Sequence, residues 1–407
     1  MNVTSTLNHD AKSQTVRLAN FDVAAQALAC TARGQISDLS GQRLIELDGR
    51  VRYDLASLKP VWQQWTGHGI DFYGRDERPF SLRGPLASVL AEPPRAPDAP
   101  LAPLVPLAHA GGARPANQPP NQTPVAAATA DPSALAKLDG NASLKWERGN
   151  LYGFVLGPAT IDAHLSGGML GLTPLDVAAS GGRLHLAPTV RVSPGPMELT
   201  MPRGRMAEQV QITPEMCARA LKFVAPILAD VTQANGRFSI DLDNCRLPLG
   251  ELAKGDLAGR MTVHDVAIGP GPLVQELAVL MSRPAPARLL HESVVEFRMV
   301  NGRIYHQGLS LVFPDFTIKT SGSVGLDESL AIVAEMPVPP KWIGNNRLGD
   351  AIRGQTIRLP IGGTLKAPKI DQAALQQTSA QFLRNAAGQA IEGELMNQFD
   401  RLLGKPR

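Results

Sequence analysis

The sequence predicts a mostly β protein with a few amphipathic helices, built as an elongated antiparallel β-sheet that is curled into an open hydrophobic groove. Aromatic residues make up only 5% of the 407 residues, while 38 Gly and 34 Pro provide many turn positions. This balance suits many short strands joined by turns better than long packed helices. Apolar residues make up 43% of the chain, which is enough to build a substantial buried surface.

The first part of the chain, residues 1–91, is expected to form a β-meander. Short strands are predicted at 15–18, 28–36 and 44–55. The last of these alternates apolar and polar residues with period two, which indicates a sheet that is solvated on one face only. Because the meander begins without an introductory segment, we expect this chain to be N-terminally incomplete.

Residues 92–134 are dense in Pro and Ala, and this composition predicts a disordered insertion, or a long loop at one edge of the sheet. Segments with the same strand-like pattern follow in 135–213, and they are separated by Gly149-Asn150, Gly167-Gly168 and Gly181-Gly182. Glycine tolerates the positive φ that tight hairpins require. We therefore expect a second β-meander after the insertion.

Three amphipathic helices are predicted. The first begins at Pro214 and ends before Gly236, with a kink or break at Pro226. A second spans 272–281, and a third occupies most of the C-terminal segment 371–407. Each has one apolar stripe and needs a surface to pack against.

Residues 214–370 combine the first two helices with the clearest strand pattern in the chain. Val295, Phe297 and Met299 point to one face, while Glu296 and Arg298 point to the other. The helices are too few to cover this face completely, so we favour a partly open groove over a closed core. The residues expected to line it are Val295, Phe297, Met299, Leu309, Leu311, Phe313, Phe316, Ile318, Ile332 and Met336.

The segments 297–309 and 316–327 carry a family resemblance. With the closing strand at 357–370, which contains Gly363-Thr364-Leu365 and Pro368, they resemble the C-terminal region of AsmA-like proteins, relatives of TamB. The resemblance is specific over about 236–370. It implies a groove-forming β protein of the bacterial cell envelope, tethered to the inner membrane by an N-terminal helix and handling phospholipid for outer-membrane biogenesis.

Several other classes of function are not indicated. The 40 basic and 37 acidic residues are interspersed, so no nucleic-acid-binding patch is predicted. Cys30, Cys217 and Cys245 have no metal-site spacing, although the last two could form a disulfide in an oxidising compartment. Asp241-Leu242-Asp243-Asn244 lacks the glycine and glutamate of a calcium loop. No catalytic motif is present, so we expect no enzyme activity, metal or cofactor.

The first functional hypothesis is a periplasmic or cell-envelope protein that binds or transfers phospholipid or another acyl lipid along the apolar groove. Its membrane association would depend on the missing N-terminal segment, because 1–10 is not a secretory signal and no apolar run is long enough to span a bilayer. The alternative is a structural or assembly module that presents sheet edges to envelope proteins. A hydrolase comes third, since no nucleophile is visible.

Overall fold

The computed structural model describes residues 2–10, 12–66, 69–85, 136–231, 233–269, 271–281, 287–289, 293–313, 316–337 and 356–371. All of its strands belong to one large antiparallel sheet that is open and not closed into a barrel. The prediction of a mostly β fold with few helices is confirmed. The Pro-rich insertion and the C-terminal helix lie outside the described residues.

The chain begins with a four-stranded meander and one helix. These elements are β1 (Asn2–Asp10), β2 (Thr15–Ala24), β3 (Leu28–Ser37), β4 (Leu44–Asp54) and α1 (Leu55–Thr66). The carboxylate of Asp54 accepts hydrogen bonds from the backbone N–H groups of Ala56 and Ser57. This cap satisfies donors that a helix N-terminus leaves free, and it starts α1 where β4 ends.

The middle of the sheet consists of long strands that are each interrupted once. Gly74, with φ +149°, separates β5 from β6, and Gly204, with φ +148°, lies next to the break between β15 and β16. The elements are β5 (Ile70–Tyr73), β6 (Arg75–Pro85), β7 (Asp139–Trp146), β8 (Arg148–Leu151), β9 (Phe154–Leu156), β10 (Ala159–Ser166), β11 (Met169–Leu172), β12 (Leu175–Ala179), β13 (Gly182–Leu186), β14 (Thr189–Arg191), β15 (Glu198–Met201) and β16 (Gly204–Gln211).

A stretch of short helical turns, here called the helical segment (214–228), follows β16. It is composed of an α turn at Pro214–Met216, a π turn at Cys217–Leu221, an α turn at Lys222–Val224 and a 3-10 turn at Pro226–Leu228. Thr213 caps its start by accepting a hydrogen bond from the backbone N–H of Met216. The expected break at Pro226 is confirmed, because Ala225 leaves the helical conformation just before it.

The remainder of the sheet contains a second helix, α2 (Pro272–Met281), which matches the predicted bounds. A 3-10 turn lies at Leu252–Lys254. The strands are β17 (Ala234–Asn235), β18 (Arg237–Pro248), β19 (Asp256–Val263), β20 (Ala267–Ile268), β21 (Ala287–Leu289), β22 (Ser293–Val300), β23 (Arg303–Phe313), β24 (Phe316–Gly325), β25 (Leu330–Pro337), β26 (Thr356–Gly363) and β27 (Pro368–Ile370).

The long strands pair in chain order, each with the one before it and the one after it. Strand β4 pairs with β6, β6 with β7 and β7 with β10, while β18 pairs with both β15 and β16 before it and with β19 after it. Because neighbouring strands are antiparallel, every strand begins on one side of the sheet and ends on the other. We call the side at which β4, β16 and β20 end, and at which α1, the helical segment and α2 follow them, the helix end. The opposite side is the turn end.

Candidate functional site

A continuous apolar face runs across the sheet. Because residues directly opposite each other in neighbouring strands point to the same face, the register identifies its members. Leu47 pairs with Leu82, and Leu165 pairs with Leu170. The same alignment continues to the last strand, where Ile361 pairs with Ile370. The other face is polar on most strands, and its charged side chains form cross-strand ion pairs such as Arg205 with Asp241 at 2.6 Å.

The helical segment covers one part of this face. Met216, Cys217, Leu221, Ile227 and Leu228 are buried in the same hydrophobic cluster as the side chains of β22–β26. The stretch Lys222–Val224 contacts β23 and β24, and α2 contacts β27 and the helical segment. This part of the apolar face is therefore a packed core.

Two contacts fix the helical segment in place. At the helix end, Gly153 lies so close to it that a Cβ atom there would approach the backbone nitrogen of Met216 to 2.5 Å. At the turn end, Lys222 donates a hydrogen bond of 2.6 Å to Oε1 of Glu328, in the turn after β24. The helical segment thus begins at one end of the strands and is bound at the other, so it crosses the apolar face.

A second part of the face is not covered in this way. In the interrupted strands, the apolar residues nearer the helix end are buried, as Val177, Leu184 and Val210 show. Those nearer the turn end are only half-buried, and the described helices make their main contacts elsewhere. We call these half-buried residues the open strip: Leu144, Ile161, Leu165, Leu170, Leu172, Val190, Leu199 and Met201.

The half-buried character continues toward the N-terminus. Strands β2, β3, β4 and β6 add Val16, Leu18, Ile36, Leu47, Val51, Phe80 and Leu82 to the same face, all of them half-buried. On β1 the exposure rises further, to 54% for Val3 and 55% for Leu7. So many large apolar side chains on one accessible face are typical of a binding surface.

The ten residues expected to line a groove lie in the covered part. Val295, Phe297 and Met299 on β22 are buried, and so are Leu309, Leu311 and Phe313 on β23 and Ile318, Ile332 and Met336 on the next two strands. Phe316 is half-buried and stacks on Phe313, with ring centroids 4.7 Å apart. Contact of these ten with lipid stays a prediction, and it would require the helical segment to move.

Sequence analysis missed the open strip and one further feature, the pair Asp76 and Arg78 on β6. Strand alternation in 160–165 already contained Ile161 and Leu165, so the signal for the strip was present. The pair was not predicted, because several charges and Pro79 in β6 are unusual within a strand and obscure its alternation. Its register with Tyr53 and Val51 nevertheless places both charged side chains on the apolar face.

No metal-binding group of His, Cys, Asp and Glu occurs among the described residues. His164 contacts Asn141, His185 lies near Asp176 and Glu208, and His306 is buried. The cysteines are free thiols, so the disulfide considered between Cys217 and Cys245 does not form. Burial raises the pKa of the Cys217 thiol to about 12.

One pair has the spacing of a nucleophile and its base, because Oγ of Ser239 lies 2.8 Å from Nε2 of His264. The Ser239 side chain is buried, however, and its Oγ also accepts a hydrogen bond from the backbone N–H of Gln209. Gln209 has a φ of +50° within an irregular stretch of the β16–β18 register. The hydroxyl therefore also has a structural role, because it satisfies the backbone N–H of Gln209 at this irregularity.

Comparison of the chain with protein-family models, with curated proteins and with solved structures found no match. Within the described ranges, none of the helices has the length and hydrophobicity required to cross a bilayer.

Proposed function

We propose that this protein is a non-enzymatic lipid-binding protein that holds acyl chains on the open strip. The observation that supports this most directly is the contrast within single strands, where apolar residues are buried toward the helix end and accessible toward the turn end. A protein that needed only a core would gain by covering both parts.

The dimensions of the open strip suit an acyl chain. It extends over β7, β10, β11, β14 and β15, and neighbouring strands lie about 4.8 Å apart, so it is roughly 20 Å wide. One leaflet of a bilayer has a hydrocarbon depth of about 15 Å. Since each buried methylene contributes about 0.8 kcal/mol, a chain lying across the strip would be bound without directional contacts.

The resemblance of 236–370 to AsmA-like proteins supports the same proposal. From this resemblance we propose a location in the bacterial cell envelope, on the periplasmic side, with phospholipid as the ligand and outer-membrane biogenesis as the process. The packed core formed by the helical segment and β22–β26 stabilises the sheet. The turn end of the open strip is the side from which lipid would enter.

Lipid content is the direct test. The purified chain is mixed with phospholipid vesicles, re-isolated and extracted for mass spectrometry, and we expect bound phospholipid. Leu170→Asp and Leu199→Asp place a charge on the open strip and should reduce bound lipid at least about tenfold while the protein stays folded. Val294→Asp is the matched control, because Val294 is 45% exposed on the opposite face.

Two results would count against the proposal: wild-type protein that carries no lipid, or strip variants that carry as much as the wild type. Leu311→Asp provides a further contrast. Leu311 is fully buried, so a charge there should unfold the protein rather than only release lipid.

A second candidate function is an assembly module that offers its sheet edge to another strand. In the described part of the chain β1 pairs only with β2, and all nine of its residues are exposed. Edge strands are often protected by Lys, Pro or a bulge. Strand β1 contains no Lys or Pro, and its ladder with β2 has one register irregularity, between Thr6 and Leu7. A folded protein that takes up no lipid from vesicles would favour this function.

A further inference from the structure

The apolar face contains one ion pair. Among the described strands, Asp76 and Arg78 are the only Asp, Glu, Lys or Arg residues whose register places them on this face. The two are separated by one residue on β6, with Tyr53 and Val51 opposite them on β4.

Both side chains are accessible. Arg78 is 27% exposed and Asp76 is 29% exposed, and Nε of Arg78 lies 2.8 Å from Oδ2 of Asp76. These two atoms are themselves buried from solvent, and neither has a hydrogen-bond partner within the described residues. In the part of the chain that the structure describes, Asp76 is the only ion-pair partner of Arg78. Each member of the pair therefore keeps one polar atom without a hydrogen-bond partner on the apolar face.

The electrostatic state of the pair is clear. The backbone N–H of Glu77 and the guanidinium of Arg78 hold the pKa of Asp76 below its usual range. Asp76 is therefore an anion at neutral pH, and Arg78 is a cation. A half-buried ion pair contributes little stability compared with apolar residues of the same size. Packing therefore does not explain why the pair of Asp76 and Arg78 lies next to Val51 and Phe80 on the apolar face.

We propose that Asp76 and Arg78 form a headgroup subsite for a zwitterionic phospholipid whose acyl chains lie on the apolar face. A guanidinium is suited to bidentate contact with a phosphate, and a carboxylate accepts hydrogen bonds from an ammonium group. The phosphate and the amine of one phosphoethanolamine group are separated by two carbons, so adjacent opposite charges can meet both. This inference rests on the proposed lipid-binding function and adds the class of headgroup.

Tyr53 does not take part in the contact. Its hydroxyl group is already bound to the backbone of Lys145, accepting from the N–H at 2.8 Å and donating to the carbonyl at 3.1 Å. These bonds hold β4 against β7, on either side of β6, and so fix the strand that carries the pair. The selectivity therefore depends on Asp76 and Arg78 themselves.

The test is a competition among headgroups. The full chain is incubated with vesicles of equal parts phosphatidylethanolamine, phosphatidylglycerol and diacylglycerol, re-isolated, and its bound lipid is analysed by mass spectrometry. Wild-type protein should be enriched in phosphatidylethanolamine at least about threefold over each of the other two lipids.

The two members of the pair predict different changes. Asp76→Asn removes the partner of the ammonium, so the preference should shift toward phosphatidylglycerol. Arg78→Gln removes the partner of the phosphate, so both phospholipids should lose their advantage over diacylglycerol. Loss of folding cannot produce these two distinct shifts. The matched controls are Asp176→Asn and Arg183→Gln, which alter an ion pair of 2.7 Å on the polar face.

The possible failures are distinguishable. Bound lipid in the same headgroup proportions as the vesicle, for the wild type and for both variants, would overturn the subsite and leave lipid binding intact. Absence of bound lipid from every protein would overturn the proposed function and the subsite with it.

Discussion

Lys222 of the helical segment donates a hydrogen bond of 2.6 Å to Glu328 in the turn after β24. The two side chains are 15% and 31% exposed, so water screens the pair only in part. The hydrogen bond from Lys222 is the main cause that lowers the pKa of Glu328 below its usual range. This contact holds the helical segment across the apolar face, and it is the first target for mutation.

Lys222→Met should lower the free energy of unfolding by about 1–2 kcal/mol, because it removes a charge-assisted hydrogen bond that is partly shielded from solvent. Urea denaturation at neutral pH measures the loss. Lys254→Met is the control, since its partner Glu251 and Lys254 itself are 59% and 74% exposed and such pairs contribute little. Equal effects of the two substitutions would show that the Lys222 contact does not hold the segment.

The pair of Lys222 and Glu328 also makes the stability of the fold depend on pH. Since the pKa of Glu328 is lower in the folded state, its contribution is fully present above the unfolded value of 4.5 and is lost as pH falls through the folded value. Denaturation of Lys222→Met across pH 3 to 6 should therefore show a shallower loss toward acid than the wild type. Parallel curves would contradict the assignment.

His306 should give an acid dependence of a different kind. It lies on the apolar face of β23, and neither ring nitrogen has a hydrogen-bond partner among the described residues. Burial lowers its pKa from 6.5 to about 4. The unfolded chain therefore binds more protons in this range, so stability falls as pH drops from about 6.5 toward 4. His306→Leu should flatten this part of the stability profile and raise stability at neutral pH by about 1–3 kcal/mol.

The control for His306 is His164→Gln, on the polar face, where the imidazole is exposed and already paired with Asn141. We expect this variant to keep the wild-type loss of stability between pH 6.5 and about 4, which are the pKa values of His306 in the unfolded and the folded chain. If His306→Leu keeps that loss as well, the dependence arises from other groups.

Gly153→Ala should destabilise the contact between the β8–β9 turn and the helical segment. Gly153 has a φ of +96°, and a methyl group there would meet the backbone of Met216 at 2.5 Å. We expect a cost of about 2–4 kcal/mol from strain and displacement. Gly167→Ala is the matched control, because Gly167 also has positive φ, +58°, but nothing lies within 4 Å of the position that its Cβ would take. The cost of this substitution should stay at about 1 kcal/mol.

The three cysteines should differ in their reaction with a maleimide in the native protein at pH 8. Burial raises the pKa of Cys217 to about 12 and that of Cys245 above its usual range, so these thiols should react only after unfolding. Cys30 is half-buried and should react first, although burial also raises its pKa. Rapid labelling of Cys217 would show that the helical segment opens readily.

The alternation of apolar and polar residues predicted much of the sheet. Segments such as 44–55 and 293–337 alternate regularly, and both form strands with one apolar face. Strand β1 was not predicted because Asn2–Asp10 has only two large apolar residues. Helix α1 was not predicted because it contains Pro60 and because its cap, Asp54, lies at the end of a strand.

The location of the accessible part of the face could not be predicted. Alternation identifies which residues share a face, but coverage depends on where a helix lies after folding. The stripe of Met216, Ala220 and Phe223 predicted an amphipathic helix and left its target open. The contact of Lys222 with Glu328 joins residues 106 apart in the chain, and no local pattern encodes such a contact.

The chain-order pairing of the long strands has a consequence for how this protein can change in evolution. A hairpin gained or lost at a turn alters only its two neighbours, and the remaining pairings keep their register. Each added strand would widen the surface by about 4.8 Å. The breadth of the apolar face can therefore be tuned by duplication or deletion of single hairpins, with no new topology required.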